Sequence, residues 1–229
     1  MVHPPGISLH DFSQILETAL CAFCGEFGGF VSLLPWIRCC YQCIRTAPET
    51  QVDSLNSVRT ELGLTDVQIR SLRSFRTLPG FYDITGSPRL RRDTVVSLKD
   101  ARLAFEGEPK NINAHAIWHQ QELVRWIRTF NFMAACALPS SAKGVGYVEH
   151  GMSCLGCLVV LQLVLQERTK SGGIERAYRR GCDRVYSQDS FLQHFKWCEH
   201  AQALWRESDQ GRCKAATLTR CVVGRGLSY

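Results

Sequence analysis

Apolar residues recur at helical spacing near the N-terminus. Over residues 8–20 they occupy positions i, i+3, i+4 and i+7, the pattern of an amphipathic helix. The four positions are Phe12, Ile15, Leu16 and Ala19. Ser8 and Asp11 stand three residues apart and resemble a capping box. The sequence therefore predicts a helix that runs directly into Cys21.

The next hundred residues show short periodic segments separated by turn residues. Residues 54–73 predict two short helices, because Gly63 would stop the first and Thr65 with Gln68 would cap the second. Residues 74–92 contain Pro and Gly turns and predict an irregular, arginine-rich loop.

Residues 94–96 then predict a short strand, and Ser97 is the expected cap of a helix that reaches about Phe105. After a polar boundary at residues 107–113, apolar periodicity predicts a helix over 115–130. From about Glu207 onward periodicity is lost.

These patterns predict a small α+β fold of short helices with a few short strands. The expected parts are residues 1–106 (an N-terminal helix, a four-cysteine module and a helical and loop segment), 107–149 (a linker and helix), 150–206 (a zinc-finger-like segment) and 207–229 (a loose tail).

Composition is that of a folded chain: 45% of the 229 residues are apolar and 21% are charged. The net charge of +6 is ordinary surface charge and does not by itself indicate nucleic acid. We find no secretory signal and no apolar run near the roughly 20 residues that span a bilayer. We therefore expect an intracellular protein, cytoplasmic or nuclear, that is not in a membrane.

Twelve cysteines change this picture, because so many thiols indicate disulfides or metal. In a reduced compartment, paired cysteines are typical of metal ligands or redox groups. Cys21 and Cys24 form one C-x2-C pair, and Cys40 and Cys43 form another after fifteen residues. This spacing is typical of a tetrahedral zinc site. Cys39 is an alternative to Cys40, although we expect it to be a small buried hydrophobic residue.

A second ligand set is predicted near the C-terminus. Cys154 and Cys157 form a third C-x2-C pair, and residues 186–205 predict one helix that carries His194 and Cys198 at i, i+4. Together they match a Cys2HisCys zinc site. The 36 residues between Cys157 and His194 argue against a groove-reading finger, which has about 12. Cys182 or His200 are alternative ligands.

Other motifs give weaker indications. Six arginines fall between Arg70 and Arg92 with three aromatic residues among them, a pattern that can bind single-stranded nucleic acid but more often forms a solvated loop. His115 and His119 lack the glutamate of a zincin motif. Because both ligand sets hold four protein donors, which would leave no open metal position, we expect no enzyme activity.

Four blocks of sequence, in the same order, carry a family resemblance that covers about residues 15–206. They are CAFCGEFGGFVSLLPWIRCCYQCIRTAPE, SLNSVRTELGLTDVQIRSLRSFRTLPGFYDI, RRDTVVSLKDARLAF, and MSCLGC with YRRGCDRVYSQDSFLQHFKWCEHAQALW. They resemble the cysteine-rich region that follows the F-box in a group of fungal F-box proteins. The F-box pattern itself is not found in the twenty residues before Cys21.

The resemblance implies a region that binds proteins, as the substrate-recruiting part of an F-box protein does. It implies a link to the adaptor subunit of a ubiquitin ligase only if an F-box lies upstream of this chain. We therefore expect a protein partner, two zinc ions, and nucleic acid as the alternative partner through the segment from Arg70 to Arg92.

Overall fold

The computed structural model describes residues 7–80, 82, 89–105, 129–141, 147–166 and 184–216. Within these residues the protein consists of short helices and short antiparallel strands, which confirms the predicted α+β class. The chain divides into two units, Met1–Val148 and Glu149–Tyr229. Each unit holds one of the two ligand sets.

The elements of the first unit are short throughout. Its helices are α1 (Leu9–Glu17), α2 (Tyr41–Thr46), α3 (Leu55–Leu62), α4 (Asp66–Ser71) and α5 (Leu98–Ala104), with a 3-10 turn at Pro48–Thr50. Its strands are β1 (Phe30–Ser32), β2 (Ile37–Cys39), β3 (Val52–Ser54), β4 (Ser74–Arg76), β5 (Thr94–Ser97), β6 (Ala135–Ala137) and β7 (Ser140–Ser141). Strand β8 (Val148–Glu149) follows where the two units meet along the chain.

The second unit contains two strands and three helices within its described residues. They are β9 (Met152–Ser153), α6 (Leu155–Gln166), β10 (Val185–Tyr186), α7 (Gln188–Phe195) and α8 (Glu199–Glu207). Strands β9 and β10 pair antiparallel. In the part of the chain described here, no helix is long and apolar enough to cross a bilayer.

Two three-stranded sheets organise the first unit. One has the order β2-β1-β6 and brings Cys39 opposite Phe30. The other has the order β3-β5-β4, and its central strand is fully buried at Val95 and Val96. Val96 packs with Val58 and other apolar residues of α3, α4 and α5, so the apolar faces of these helices cover this sheet.

Helix α1 begins as predicted and ends earlier. Both bonds of the capping box between Ser8 and Asp11 are present. The helix stops at Glu17, where the prediction had it continue to residue 20, because Thr18 is extended and Leu20 forms a bridge with Phe27. The chain therefore enters a hairpin before it reaches the first cysteine.

The two helices predicted over 54–73 are confirmed. Gly63 ends α3 in a left-handed conformation with φ of 66°, and Thr65 with Gln68 forms the predicted capping box of α4. The predicted strand and helix at 94–105 are also present as β5 and α5, with Ser97 capping the helix.

The loop predicted over 74–92 is wrong at its start, where β4 pairs with β5. The three residues of β4, with Phe75 as the apolar one, are too few for their alternation to indicate a strand, and the strand forms because a partner strand lies beside it. Residues 81 and 83–88 lie outside the described part of the chain.

Most of the helix predicted over 115–130 also lies outside the described residues. Where the description resumes, residues 129–133 are helical, and Asn131 is 1% exposed. Its side chain accepts a hydrogen bond from the Val52 N–H (2.9 Å) and donates to the Ile44 carbonyl (3.0 Å). These bonds fix this segment against β3 and α2.

Candidate metal centres

A tight hairpin presents the first two cysteines. Its base is the bridge between Leu20 and Phe27, and the Cys21 N–H donates to the Glu26 carbonyl at 2.7 Å. The Gly25 N–H closes the turn on the Cys21 carbonyl at 3.0 Å. Gly25 has φ of 73°, a conformation that glycine adopts without strain. The turn therefore brings both sulfurs of the C-x2-C pair to one side.

The second cysteine pair comes from the junction of β2 and α2. Cys40 is the N-cap of α2, and its sulfur accepts a hydrogen bond from the Cys43 N–H at 3.4 Å. The Ala22 N–H donates to the Arg38 carbonyl at 3.1 Å, which ties the first turn to β2. This backbone bond between Ala22 and Arg38 holds the two cysteine pairs close to each other.

The first cluster has the dimensions of a tetrahedral metal site. The sulfurs of Cys21, Cys24, Cys40 and Cys43 all lie within 4.8 Å of one another. Cys24 Sγ and Cys40 Sγ are 3.6 Å apart. A tetrahedron with Zn–S bonds of ~2.3 Å has S–S edges of ~3.8 Å, whereas a disulfide has an S–S bond of ~2.05 Å.

The second cluster joins the start of α6 to the junction of α7 and α8. The ligand atoms of Cys154, Cys157, His194 and Cys198 also lie within 4.8 Å of one another. Cys198 Sγ is 3.7 Å from Cys154 Sγ and 3.9 Å from Cys157 Sγ. Cys157 Sγ is 3.5 Å from His194 Nε2, close to the ~3.6 Å edge expected between a thiolate and an imidazole on zinc.

The single helix predicted over 186–205 is wrong, because the chain breaks between the two ligands. His194 lies in the last turn of α7, and Cys198 is the N-cap of α8 with φ of −92° and ψ of 90°. One α-helix would carry the i and i+4 side chains about one turn apart in a fixed direction. The break instead turns the Cys198 sulfur toward Cys154 and Cys157, which a closed ligand set requires.

Tyr186 holds the imidazole and was not identified from the sequence. Its ring stacks on that of His194, with centroids 4.7 Å apart and an interplanar angle of 19°. Tyr186 is 5% exposed and lies in the cluster that contains Cys154 and Ala201. A tyrosine eight residues before a histidine carries no recognisable pattern, so only the fold reveals this contact.

Backbone N–H groups favour thiolate at one cysteine of the first cluster. Burial opposes ionisation of Cys21, but the N–H groups of Phe23, Cys40 and Cys24 outweigh it and hold the pKa of this thiol below its ordinary value. Burial, reinforced by the neighbouring sulfurs, raises the pKa of Cys43 well above its usual range and that of Cys40 to about 11.

In the second cluster, too, one cysteine has a lowered pKa and another has a raised pKa. A hydrogen bond from the Cys157 thiol lowers the pKa of Cys154 to about 4, and the same contact raises the pKa of Cys157 well above its usual range. Without a cation between them, thiols this close together cannot all ionise, because the negative charges of neighbouring thiolates repel each other. A divalent cation at the centre would remove this conflict, because it stabilises every thiolate that binds it.

The remaining described cysteines lie outside both clusters. Cys39, the last residue of β2, is fully buried in the same apolar core as Cys21 and Cys43, and burial raises the pKa of its thiol to about 12. Cys136 and Cys213 are exposed. Cys182, Cys221, His115 and His119 lie outside the described residues, and His200 is on α8 without joining the ligand set.

The arginine-rich segment is divided between exposed and bonded side chains. Arg70, Arg76, Arg91 and Arg92 are exposed. Arg73 forms an ion pair with Asp100 at 3.4 Å. Phe75 packs against the core cluster of Leu34, Val52 and Ala134, so it is not available to stack on a base.

Comparisons with models of protein families, with curated proteins and with solved structures found no match to this chain. The case for function therefore depends on the geometry of the two clusters and on the surfaces around them. That geometry indicates two metal sites, each made from four protein donors.

Proposed function

We propose that this chain is a zinc-stabilised module that binds proteins. The observation that carries the proposal is the pair of closed clusters, one of four cysteines and one of three cysteines and a histidine. Thiolate and imidazole donors at tetrahedral spacing suit Zn²⁺ better than Mg²⁺ or Ca²⁺, which prefer oxygen ligands.

The role proposed for both metal ions is structural. Four protein donors complete a tetrahedral shell, whereas a catalytic zinc site keeps a position for water. The ions would join segments that are distant in sequence, since Cys154 and Cys198 are 44 residues apart. We accordingly propose binding, and not catalysis, as the activity of the chain.

The kind of binding follows from the resemblance to the region after the F-box in fungal F-box proteins. In that setting the cysteine-rich region would recruit a substrate protein. A link to the ubiquitin-ligase adaptor belongs to an F-box and is assigned to no residue of this chain.

Nucleic acid is the alternative partner, and the exposed side chains of Arg70, Arg76, Arg91 and Arg92 favour it. Binding through them would weaken steeply with salt, because each neutralised phosphate releases a counterion. Titrating the protein with a fluorescent single-stranded oligonucleotide at 50 and 200 mM salt separates the two candidates. If the chain binds proteins, we expect no specific, salt-dependent complex with the oligonucleotide.

Two matched cysteine variants test the structural role of the metal. Cys43→Ser removes a ligand, and Cys39→Ala alters a buried cysteine outside the clusters. We expect Cys43→Ser to lose one zinc ion and the folded state of the first unit, since structural zinc binding is folding free energy. Cys39→Ala should keep both ions. Equal stability and metal content in the two variants would contradict the proposal.

A further inference from the structure

Strand β4 and the chain that leads into β5 form a two-stranded ribbon that extends beyond the sheet. The Thr77 N–H donates to the Asp93 carbonyl at 2.8 Å, and the Asp93 N–H donates to the Thr77 hydroxyl at 2.9 Å. Farther along, the N–H groups of Gly80 and Arg89 each donate to the other residue's carbonyl, at 3.0 and 2.8 Å. Because paired strands lie about 4.8 Å apart, residues 90–92 stand across from the residues that follow Thr77.

Side chains of the first strand of this ribbon alternate between the interior and solvent. Phe75 packs in the core and Thr77 is 1% exposed, whereas Arg76 is exposed and Leu78 is 65% exposed. Arg76 and Leu78 therefore share the outward face, about 6.8 Å apart along the strand. Leu90, on the opposite strand, is 79% exposed. The ribbon thus offers solvent both positive charge and apolar surface.

Three arginines of the ribbon have no counter-charge. Arg76, Arg91 and Arg92 are exposed and form no ion pair with any described residue. Arg59 and Arg73 of the same unit, by contrast, each pair with an aspartate. Like charges held on neighbouring strands repel one another in the free protein. Acidic groups placed among them would relieve this repulsion.

The outer edge of β4 is open to a further strand. In the order β3-β5-β4 this strand lies at the edge of its sheet. Because Thr77 and Asp93 form a bonded pair, the alternate residues Ser74 and Arg76 direct their backbone N–H and C=O groups away from β5. Among the residues that the structure describes, none bonds to these four groups. An unpaired edge of this kind can accept a strand from another chain.

Charge selects the strand that suits this edge. A second copy of β4 would bring arginine beside arginine, which is unfavourable between paired strands. A nucleic acid would use the guanidinium groups but leave the backbone edge and the exposed leucines without partners, and the ring of Phe75 lies in the core, where no base can stack on it. An extended acidic segment uses all three features, because its side chains on one face have the same two-residue spacing as Arg76 and Leu78.

We propose that the outer edge of β4 binds an acidic segment of a partner protein as an added β-strand, with a carboxylate beside Arg76 and an apolar side chain beside Leu78. Arg91 and Arg92 supply further positive charge from the opposite strand of the ribbon. The inference deepens the proposed function and rests on it, since it names the kind of segment that a protein-binding module would take.

A random twelve-residue peptide library displayed on phage tests this site, with the full zinc-loaded chain as bait. We expect enriched sequences to carry Asp or Glu two positions from a large apolar residue. A synthetic peptide of an enriched sequence should lose at least tenfold in affinity when its acidic residues are replaced by their amides. Enriched sequences without acidic residues would overturn the proposed occupant.

Backbone methylation of the same synthetic peptide tests the addition of a strand. Alternate N–H groups of a strand point to opposite neighbours, so only one of the two alternating sets would bond to β4. Methylating that set of nitrogens should abolish binding, while methylating the other set should leave the affinity within about threefold. Equal effects of the two methylation patterns would contradict strand addition.

Neutral variants locate the site on the ribbon. The triple variant Arg76→Gln, Arg91→Gln and Arg92→Gln should weaken peptide binding at least tenfold and melt at the same or a higher temperature, because it removes repulsion between like charges. Arg206→Gln removes an exposed arginine of the second unit and should bind the peptide as the original chain does. A triple variant with a lowered melting temperature would indicate a structural role for these arginines and contradict the proposal.

The remaining outcomes separate this site from the proposed function. Acidic peptides that bind the triple variant as well as the original chain would overturn the site and leave the protein-binding module standing. A single-stranded oligonucleotide that binds the original chain but not the triple variant, with no peptide enriched, would replace the acidic segment with nucleic acid. A library that yields no enriched sequence would overturn the site and count against the proposed function as well.

Discussion

The side chain of Arg38 lies inside the first unit with 2% of its surface exposed. All five of its N–H groups donate to carbonyl oxygens: those of Ile15 (2.9 and 2.6 Å), Gly28 (2.7 Å), Leu138 (2.8 Å) and Pro139 (3.0 Å). One side chain thus joins α1, the hairpin of the first cluster and the segment after β6. Burial lowers the pKa of this guanidinium, which reflects the cost of removing its charge from water. The complete set of hydrogen bonds to carbonyl oxygens offsets that cost.

Arg38→Lys should destabilise the first unit strongly. An ammonium group has three donors and no planar fork, so at least two of the five bonds are lost and a charge stays buried. We expect the free energy of unfolding to fall by about 3 kcal/mol, measured by urea denaturation with zinc present. Arg59→Lys alters an exposed arginine paired with Asp66 at 2.8 Å and should cost less than about 1 kcal/mol. Equal losses would contradict the role assigned to Arg38.

Asp53 and a second acidic side chain lie within hydrogen-bonding distance of the same serine hydroxyl. Ser57 Oγ lies 3.0 Å from Asp53 Oδ2 and 2.8 Å from Glu61 Oε1, but it has one hydrogen to donate. If Asp53 is protonated, it donates to Ser57 and Ser57 donates to Glu61. Burial, which is the main cause, and the Glu61 charge raise the pKa of Asp53 to about 6.

The stability contributed by Asp53 should therefore fall as pH rises. The folded pKa of about 6 exceeds the ordinary value of 3.8, so folding favours the protonated form, and this contribution is complete below the unfolded pKa and lost as pH rises through 6. Between pH 5 and 7 the free energy of unfolding of the original chain should fall by about 1 kcal/mol relative to that of Asp53→Asn. Denaturation of both proteins across this range measures the difference, and parallel profiles would contradict it.

At the scale of elements, several of the candidate metal ligands lie at helix N-termini. Cys40 caps α2 and Cys198 caps α8, and Cys154 directly precedes α6. The Cys157 N–H donates to Cys154 Sγ at 3.5 Å. A helix N-terminus offers unpaired N–H groups and a partial positive charge, both of which favour thiolate. Short helices suit this arrangement, because they place many N-termini in a small volume.

Gly156 lets α6 approach α8 closely. A Cβ atom at this position would lie 2.8 Å from both the Ala201 Cα and the His200 carbonyl carbon, and backbone cannot move aside as a flexible side chain can. Gly156 stands between the ligands Cys154 and Cys157, so forcing the helices apart would also separate Cys198 from them.

Gly156→Ala should therefore weaken folding and metal retention together. We expect a loss of about 2 kcal/mol or more in stability and reduced zinc at the second site, measured by thermal unfolding and elemental analysis. Leu155→Ala, which truncates a 42% exposed neighbour on the same helix, should change neither quantity appreciably. A stable, fully loaded Gly156→Ala protein would contradict the close contact of the two helices.

Local sequence chemistry predicted some elements and long-range contacts decided others. The caps at Ser8, Thr65 and Ser97 were recognisable because the bonding partners lie within three residues. Strand β4 was missed because its stability comes from pairing with β5, some twenty residues away. The break at Cys198 was missed because helix periodicity continues through it, and the ligand set overrides that periodicity.

The ligand pairs themselves were predictable, because two cysteines separated by two residues form a local motif. The contacts that support the ligands were not predictable in this way. Tyr186 stacks on His194, and Arg38 binds carbonyls about a hundred residues away. Such contacts depend on the tertiary fold and leave no pattern along the chain.

For the molecule as a whole, the cysteine clusters are parts of the hydrophobic cores. One core cluster consists of Cys21, Cys39, Cys43, Ile44 and Ala47, and another contains Cys154, Tyr186 and Ala201. Cores this small supply little stabilisation by themselves, so small domains commonly depend on metal ions or disulfides. If both clusters bind metal as proposed, its loss would leave thiols packed together in the interior and remove the bonds that join these segments.

Zinc content and chelator-induced unfolding, measured on the same purified chain, test the metal-dependent fold directly. We predict two zinc ions per chain by elemental analysis, and loss of the folded circular-dichroism spectrum when a strong chelator removes them, because zinc binding is coupled to folding. A chain that contains no zinc and keeps its spectrum and melting temperature in chelator would contradict the account.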